Sequence, residues 1–192
     1  MKKIVIAVLA VCSFGISYSQ IDVEEKAKAG SFYLGANIGV PLNNASDISS
    51  FNFGFDGAYL FELIENLEVG GLVGYTHFIG DGVYYYQGNN QYKYKDVSFI
   101  PIAASGRYYF ADYTFFGGLD LGIGINAAGD AKSGFYARPK FGYNLGSLSL
   151  IASFQSISGG SDYKHLNDNN PNNDVVTSKG FNSFNFGVEF KF

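Results

Sequence analysis

The sequence predicts an all-β fold, an eight-stranded antiparallel up-and-down transmembrane β-barrel, and three observations carry that expectation. The chain ends on F-N-F-G-V-E-F-K-F, Phe184 to Phe192, which alternates apolar and polar residues and stops on a Phe. It holds 25 Gly, 15 Tyr and 19 Phe with no Trp and only 16% charged residues, a composition that suits strands and tight turns far better than helices. Beyond the first residues no apolar run approaches the ~20 residues of a membrane-spanning helix. A membrane address must then be met by a closed barrel, the other structure that satisfies all its backbone hydrogen bonds in lipid.

At the start, Lys2 and Lys3 precede an apolar run from Ile4 to Val11 and a more polar stretch ending Ser17-Tyr18-Ser19-Gln20. This pattern reads as a secretory signal peptide over residues 1–19, with small residues at Ser17 and Ser19 before a cut at Gln20. Cys12, the single cysteine, follows Val11, where lipidation wants a small residue, so it is expected to leave with the signal. The mature chain then has no thiol for a disulfide or a metal. Residues 20–30 read as a short periplasmic segment and 31–192 as the barrel domain. The mature chain carries 11 bases against 17 acids, with no clustered basic face of the kind nucleic-acid binding requires.

Eight segments show period-2 patterning. In the first, Ser31 to Val40, the residues Phe32, Leu34, Ala36, Ile38 and Val40 share one face. The second, Phe51 to Phe61, sets Phe51, Phe53, Phe55, Tyr59 and Phe61 against Asn52, Gly54, Asp56 and Ala58. The third, Leu67 to Tyr75, opposes Leu67, Val69, Val73 and Tyr75 to Glu68, Gly70 and Gly74. The fourth, Val97 to Phe110, is the least regular. With Arg107 inward, Ile100, Ile102, Ala104, Tyr108 and Phe110 point outward and Phe99 falls inside or at the rim. The fifth, Phe115 to Ile125, gives Leu119, Leu121, Ile123 and Ile125 against Gly118, Asp120, Gly122 and Gly124. In the sixth, Phe135 to Tyr143, Ala137, Pro139 and Phe141 oppose Tyr136, Arg138, Lys140 and Gly142. Pro139 cannot donate to the ladder and marks a bulge or a broken pairing. The seventh, Leu148 to Ser158, sets Leu150, Ala152 and Phe154 against Ser149, Ser153 and Gln155. The eighth is the terminal segment, with Phe184, Phe186, Val188, Phe190 and Phe192 opposite Ser183, Asn185, Gly187, Glu189 and Lys191. It is expected to pair with the first and close the barrel.

The polar face is mostly Gly, Ser and Asn with isolated charges, which suits the narrow inside of an eight-stranded barrel and leaves the aromatics for a lipid-facing outside. The links Glu62 to Asn66, Ala111 to Thr114 and Asn144 to Ser147 are short. Those at Pro41 to Ser50, Phe78 to Asp96, Asn126 to Gly134 and Gly159 to Gly180 are long. This alternation is that of periplasmic turns and extracellular loops. Tyr59, Phe61, Tyr108 to Phe110, Phe115, Phe116, Phe190 and Phe192 lie beside the short turns and read as an inner aromatic girdle.

These features together resemble the small outer-membrane barrels of the OmpA/OmpX type, and the R-Y-Y-F run from Arg107 to Phe110 is similar to Bacteroidota members of the outer-membrane β-barrel domain family. The resemblance covers nearly the whole mature chain. It implies residence in the outer membrane of a Gram-negative bacterium, with lipid and lipopolysaccharide as surroundings. It also implies the β-barrel assembly machinery as a folding partner, which would read the strand ending at Phe192. The family shares no catalytic signature.

Inward parity places Asp56, Glu68, Asp120 and Glu189 in the lumen with Arg107, Arg138, Lys140 and Lys191. Buried charges persist only when paired or wet, so a network that plugs the barrel is expected. His77, followed by Phe78 and Ile79, and His165, followed by Leu166 and Asn167, both lack the His-x-Ser pair of outer-membrane lipid A deacylases. Neither an enzyme nor a metal or cofactor site is expected. Tyr84, Tyr85, Tyr86, Tyr92 and Tyr94, in the second long link, are placed to contact a surface partner, or else to touch headgroups as part of a hairpin that extends the strands. The Asp162 to Asp174 stretch is oxygen-rich without a calcium-loop spacing, and Asn44-Ala45-Ser46 is a sequon by pattern only. The expected protein is a monomeric, non-enzymatic envelope-structural or surface-contact barrel. A narrow porin-like channel and a lipid A-modifying enzyme are the alternatives.

Overall fold

The computed structural model describes residues 30–46, 48–80, 85–87, 90–92, 96–129, 131–164, 175–178 and 180–192. The signal peptide at 1–19, all of the 20–30 segment but Gly30, Tyr84, Tyr94 and His165 lie outside the described residues, and of Tyr85, Tyr86 and Tyr92 only the backbone is described.

Eight long strands form one closed sheet: β1 (Ser31–Leu42), β2 (Ser49–Ile64), β3 (Leu67–Gly80), β6 (Val97–Phe110), β7 (Phe115–Ala128), β8 (Gly134–Asn144), β9 (Leu148–Ile157) and β12 (Phe181–Lys191). Every pairing is antiparallel between chain neighbours, and β12 pairs β1 from Tyr33↔Lys191 to Leu42↔Asn182 to complete the ring. The last residue adds to the closure, its N–H donating to the Phe32 carbonyl at 2.9 Å. Two small hairpins stand apart from the barrel sheet, β4 (Tyr85–Gln87) with β5 (Asn90–Tyr92), and β10 (Ser161–Lys164) with β11 (Val175–Ser178). A 3-10 turn, Asn43–Ala45, crosses from β1 to β2 and contains two of the three sequon residues.

Strand parity follows the alternation in the sequence. Phe32, Leu34, Ile38 and Val40 of β1 are exposed while Tyr33 is buried, and in β12 Phe184, Phe186, Val188 and Phe190 are exposed while Ser183, Asn185 and Glu189 are buried. The irregular fourth segment resolves with Arg107 and Phe99 both inside. Pro139 pairs normally with Leu119 on β7, but the ladder to β9 is interrupted between Ala137↔Ser156 and Lys140↔Ser153. This is the local break expected where an N–H is missing.

Three departures from the sequence reading stand out. β2 and β3 run on to Ile64 and Gly80, leaving only Glu65 and Asn66 between them, with Asn66 at φ 66°. Phe78, expected in a loop, is therefore a strand residue that points inward and is buried. Tyr109 and Phe116, expected in the girdle, are also buried inside, because they hold the opposite parity to their exposed or half-exposed neighbours Tyr108, Phe110 and Phe115. On the outward face, beside the same short turns, Phe110 and Phe115 join Phe141 and Tyr143 in a chain of ring contacts 5.2–6.0 Å apart.

The turn joining β6 to β7 has Ala111, Asp112 and Tyr113 all at positive φ, 51°, 52° and 63°. Such residues each cost roughly 1–2 kcal/mol. Local bonds hold them: Thr114 N–H donates to Ala111 O at 3.0 Å, and the Asn144 amide donates to Tyr113 O at 3.2 Å. Tyr113 also packs its ring 5.2 Å from Tyr109.

Candidate functional site

Among the described residues, buried inward side chains occupy the barrel interior level by level. Nearest the short turns, Glu68 collects three donors. Tyr33 and Tyr109 hydroxyls donate to its Oε2 at 2.7 and 3.0 Å, and Lys191 Nζ donates to Oε1 at 3.1 Å. Just above, Arg107 makes a two-pronged bond to Glu189, Nη1 to Oε1 at 2.6 Å and Nη2 to Oε2 at 3.1 Å. Its guanidinium carbon lies 4.2 Å from the Tyr33 ring centre and 4.8 Å from that of Phe116. The planar group is thus held by aromatic faces and a carboxylate fork together.

The middle level centres on Asp120. It accepts from Ser105 Oγ at 2.5 Å, Arg138 Nε at 2.8 Å and Lys140 Nζ at 2.8 Å. Arg138 reaches on across the interior, its Nη1 donating to Asp56 Oδ2 at 2.8 Å. One arginine therefore ties β8 to β7 on one side and to β2 on the other. Two bases and two acids compensate one another here, which is the condition for holding charge in a low-dielectric interior.

Above the charges lies an amide layer: Asn52 donates to Asn185 at 2.6 Å, and Thr76 faces Gln155 at 3.4 Å. At the long-loop mouth the interior closes on Phe78, Phe99 and Phe181. Phe181 lies 5.1 Å from each of the other two rings, and Ile157 and Val97 are buried in the same cluster. All eight charged residues singled out in the sequence lie in the network, and each basic group is paired with one of the acids. Sequence reasoning missed the partners Tyr33, Tyr109 and Ser105 and the aromatic stopper, although inward parity at Tyr33 and Phe99 was a usable signal.

A second polar group sits on the outside wall near the long-loop end. His77 Nδ1 lies 2.7 Å from Ser98 Oγ, and its Nε2 lies 3.4 Å from Asp96 Oδ2. Tyr75 OH donates to Ser98 Oγ at 2.9 Å. Asp, His and Ser follow in the order of a hydrolytic relay. However, Ser98 is only 1% exposed, and Tyr75 and His77 bond its Oγ, so a substrate carbonyl does not reach that atom in this conformation. The sequence hid this cluster because strand pairing, His77 opposite Ser98, rather than local spacing, assembles it.

No family model and no curated protein matches the chain. Among solved structures it is similar to a de novo designed transmembrane β-barrel, at 12% identity and a TM-score of 0.48, covering 88% of this chain and 100% of that one. Neisserial surface protein A gives 17% identity and a TM-score of 0.47 over 88% of this chain and 100% of its own. The outer membrane protein W of E. coli gives 15% identity and 0.37 over 85% and 98%.

Proposed function

We propose that this chain is an integral outer-membrane barrel with a sealed interior, an envelope-structural or surface-contact protein that works through its outer loops rather than as a channel. Two features support the membrane location. The outer wall exposes Phe32, Ile38, Phe55, Val73, Ile123, Phe135, Leu150 and Phe186 around the ring, a continuous apolar band that water would disfavour by ~25 cal/mol for each Å². The chain also closes its sheet, as a strand structure in lipid must. The R-Y-Y-F run at Arg107 to Phe110 supports placing it among Bacteroidota barrels, and the signal-like start supports export.

The single observation that carries the sealed reading is the Arg138 bridge between Asp56 and Asp120, stacked between the Arg107–Glu189 pair and the Phe78, Phe99 and Phe181 stopper. Lipid and lipopolysaccharide would surround the barrel as a monomer, and the strand ending at Phe192 would present the signal to the assembly machinery. Tyr84, Tyr85, Tyr86, Tyr92 and Tyr94 are the proposed contact residues at the surface. Planar-bilayer recordings on the refolded protein test the sealed reading. Silence at all applied voltages is expected, and steady unitary conductance would install the channel reading instead.

A further inference from the structure

The β3–β6 seam is weakened below its outer end. Pro101 has no N–H, and the ladder is interrupted between Val73↔Ile102 and Thr76↔Phe99. On its other edge β6 shifts register against β7 between Ser98 and Phe99. The outer piece of β6, from Val97 to Phe99, therefore borders an interruption on its β3 edge and contains a register shift on its β7 edge, and it is joined to β3 by the three pairs Thr76↔Phe99, His77↔Ser98 and Phe78↔Val97. Two of these residues, Phe78 and Phe99, belong to the stopper at the mouth.

Side chains bind that piece where the ladder is thin. Asp96 accepts from Gly80 N–H, the end of β3, at 2.9 Å through Oδ1, and its Oδ2 faces His77 Nε2. Ser98 takes His77 Nδ1 and Tyr75 OH together. We propose that His77 and Asp96 form a protonation-controlled clamp on the outer end of the β3–β6 seam, tightening when the imidazole gains a proton.

The bonding admits both states. With His77 neutral, Tyr75 donates to Ser98, Ser98 donates to Nδ1, and Nε2 lies 3.4 Å from Asp96 Oδ2. With His77 protonated, Nδ1–H donates to Ser98 Oγ, which still accepts from Tyr75, and the Nε2 contact becomes an ion pair with a carboxylate. Among the described residues His77 faces Phe53 from β2, with ring centres 5.2 Å apart, Tyr75 from its own strand, and Ser98 and Asp96 from the β6 side. Asp96 is the charged group in that set. Histidine as a residue type ordinarily changes charge between about pH 5 and 8, which sets the two pH values of the test. Asp96 is 51% exposed, so its effect is modest and screened by salt.

The test is amide exchange by NMR on the full chain refolded in detergent micelles, reading the Gly80 amide against the mid-strand Leu121 amide. Protection of Gly80 relative to Leu121 is expected to be about two- to fivefold higher near pH 5.5 than near pH 8, the range an exposed ion pair supplies. The difference is expected to shrink at ~0.5 M salt. Asp96→Asn keeps an acceptor for Gly80 but no charge, and is expected to abolish the pH difference. A wild type whose relative protection is flat across this window overturns the proposal. So does a pH difference that persists undiminished in Asp96→Asn, or one indifferent to salt in the wild type should that variant fail to fold.

Discussion

Replacing Glu189 by Ala isolates a deeply buried ion pair. The change removes both acceptors of Arg107, at 2.6 and 3.1 Å, from a pair whose side chains are 0% and 1% exposed. The guanidinium cannot swing to water, because Tyr33 and Phe116 cover it. Glu68 is already occupied by Tyr33, Tyr109 and Lys191. Stranding a buried charge costs roughly 3–5 kcal/mol. By contrast, replacing both partners in Arg107→Leu/Glu189→Leu removes the desolvation penalty along with the attraction. The double variant should therefore be more stable than Glu189→Ala, often near wild type for such swaps. Urea unfolding of protein refolded in lipid vesicles, followed by the heat-dependent gel shift, gives both values by linear extrapolation. A loss under ~1 kcal/mol in Glu189→Ala, or a double variant at least as damaged as the single one, would refute the reasoning that the pair is a dry charge pair.

Other outcomes follow from the same interior. Asp120→Ala should cost more than Asp56→Ala in the same assay, because Asp120 accepts from Ser105, Arg138 and Lys140 whereas loss of Asp56 leaves Arg138 paired. The first should fall in the range of roughly 3–5 kcal/mol. Lys191→Ala, at a pair 40% and 11% exposed, should cost less than ~1 kcal/mol. Gly142→Ala should lose ~1–3 kcal/mol, since a Cβ there would lie 2.1 Å from ring carbons of the buried Phe116, while Gly117→Ala, with nothing within 4 Å, should fold with stability close to wild type.

Much of the barrel was legible in the sequence because a strand of a closed barrel must sort its side chains by face. The outward aromatics of β2 and β12 against inward Gly, Asn and Asp fixed parity, and Arg107 alone sufficed to orient β6. Lengths were less legible. Phe78 reads as a loop residue because polar His77 on the outward parity and apolar Phe78 on the inward one invert the alternation of the preceding residues, although the strand runs on to Gly80. Partner choice was not legible at all: Arg138 reaches Asp56 across the interior from a strand far along the chain. The closeness of His77, Asp96 and Ser98 depends likewise on register, which a Pro at 101 and a shift at Ser98 help to set.

The central claim, an apolar face toward lipid and a sealed polar interior, is tested most directly by single-cysteine labelling. Ser153→Cys replaces an inward residue 5% exposed, and Phe186→Cys replaces an outward one 61% exposed. In vesicles, a lipid-soluble maleimide should label position 186 readily, and a charged, water-soluble maleimide should label neither position until the protein is unfolded. Rapid labelling of Ser153→Cys by the charged reagent in the folded, heat-shiftable protein would contradict the sealed interior.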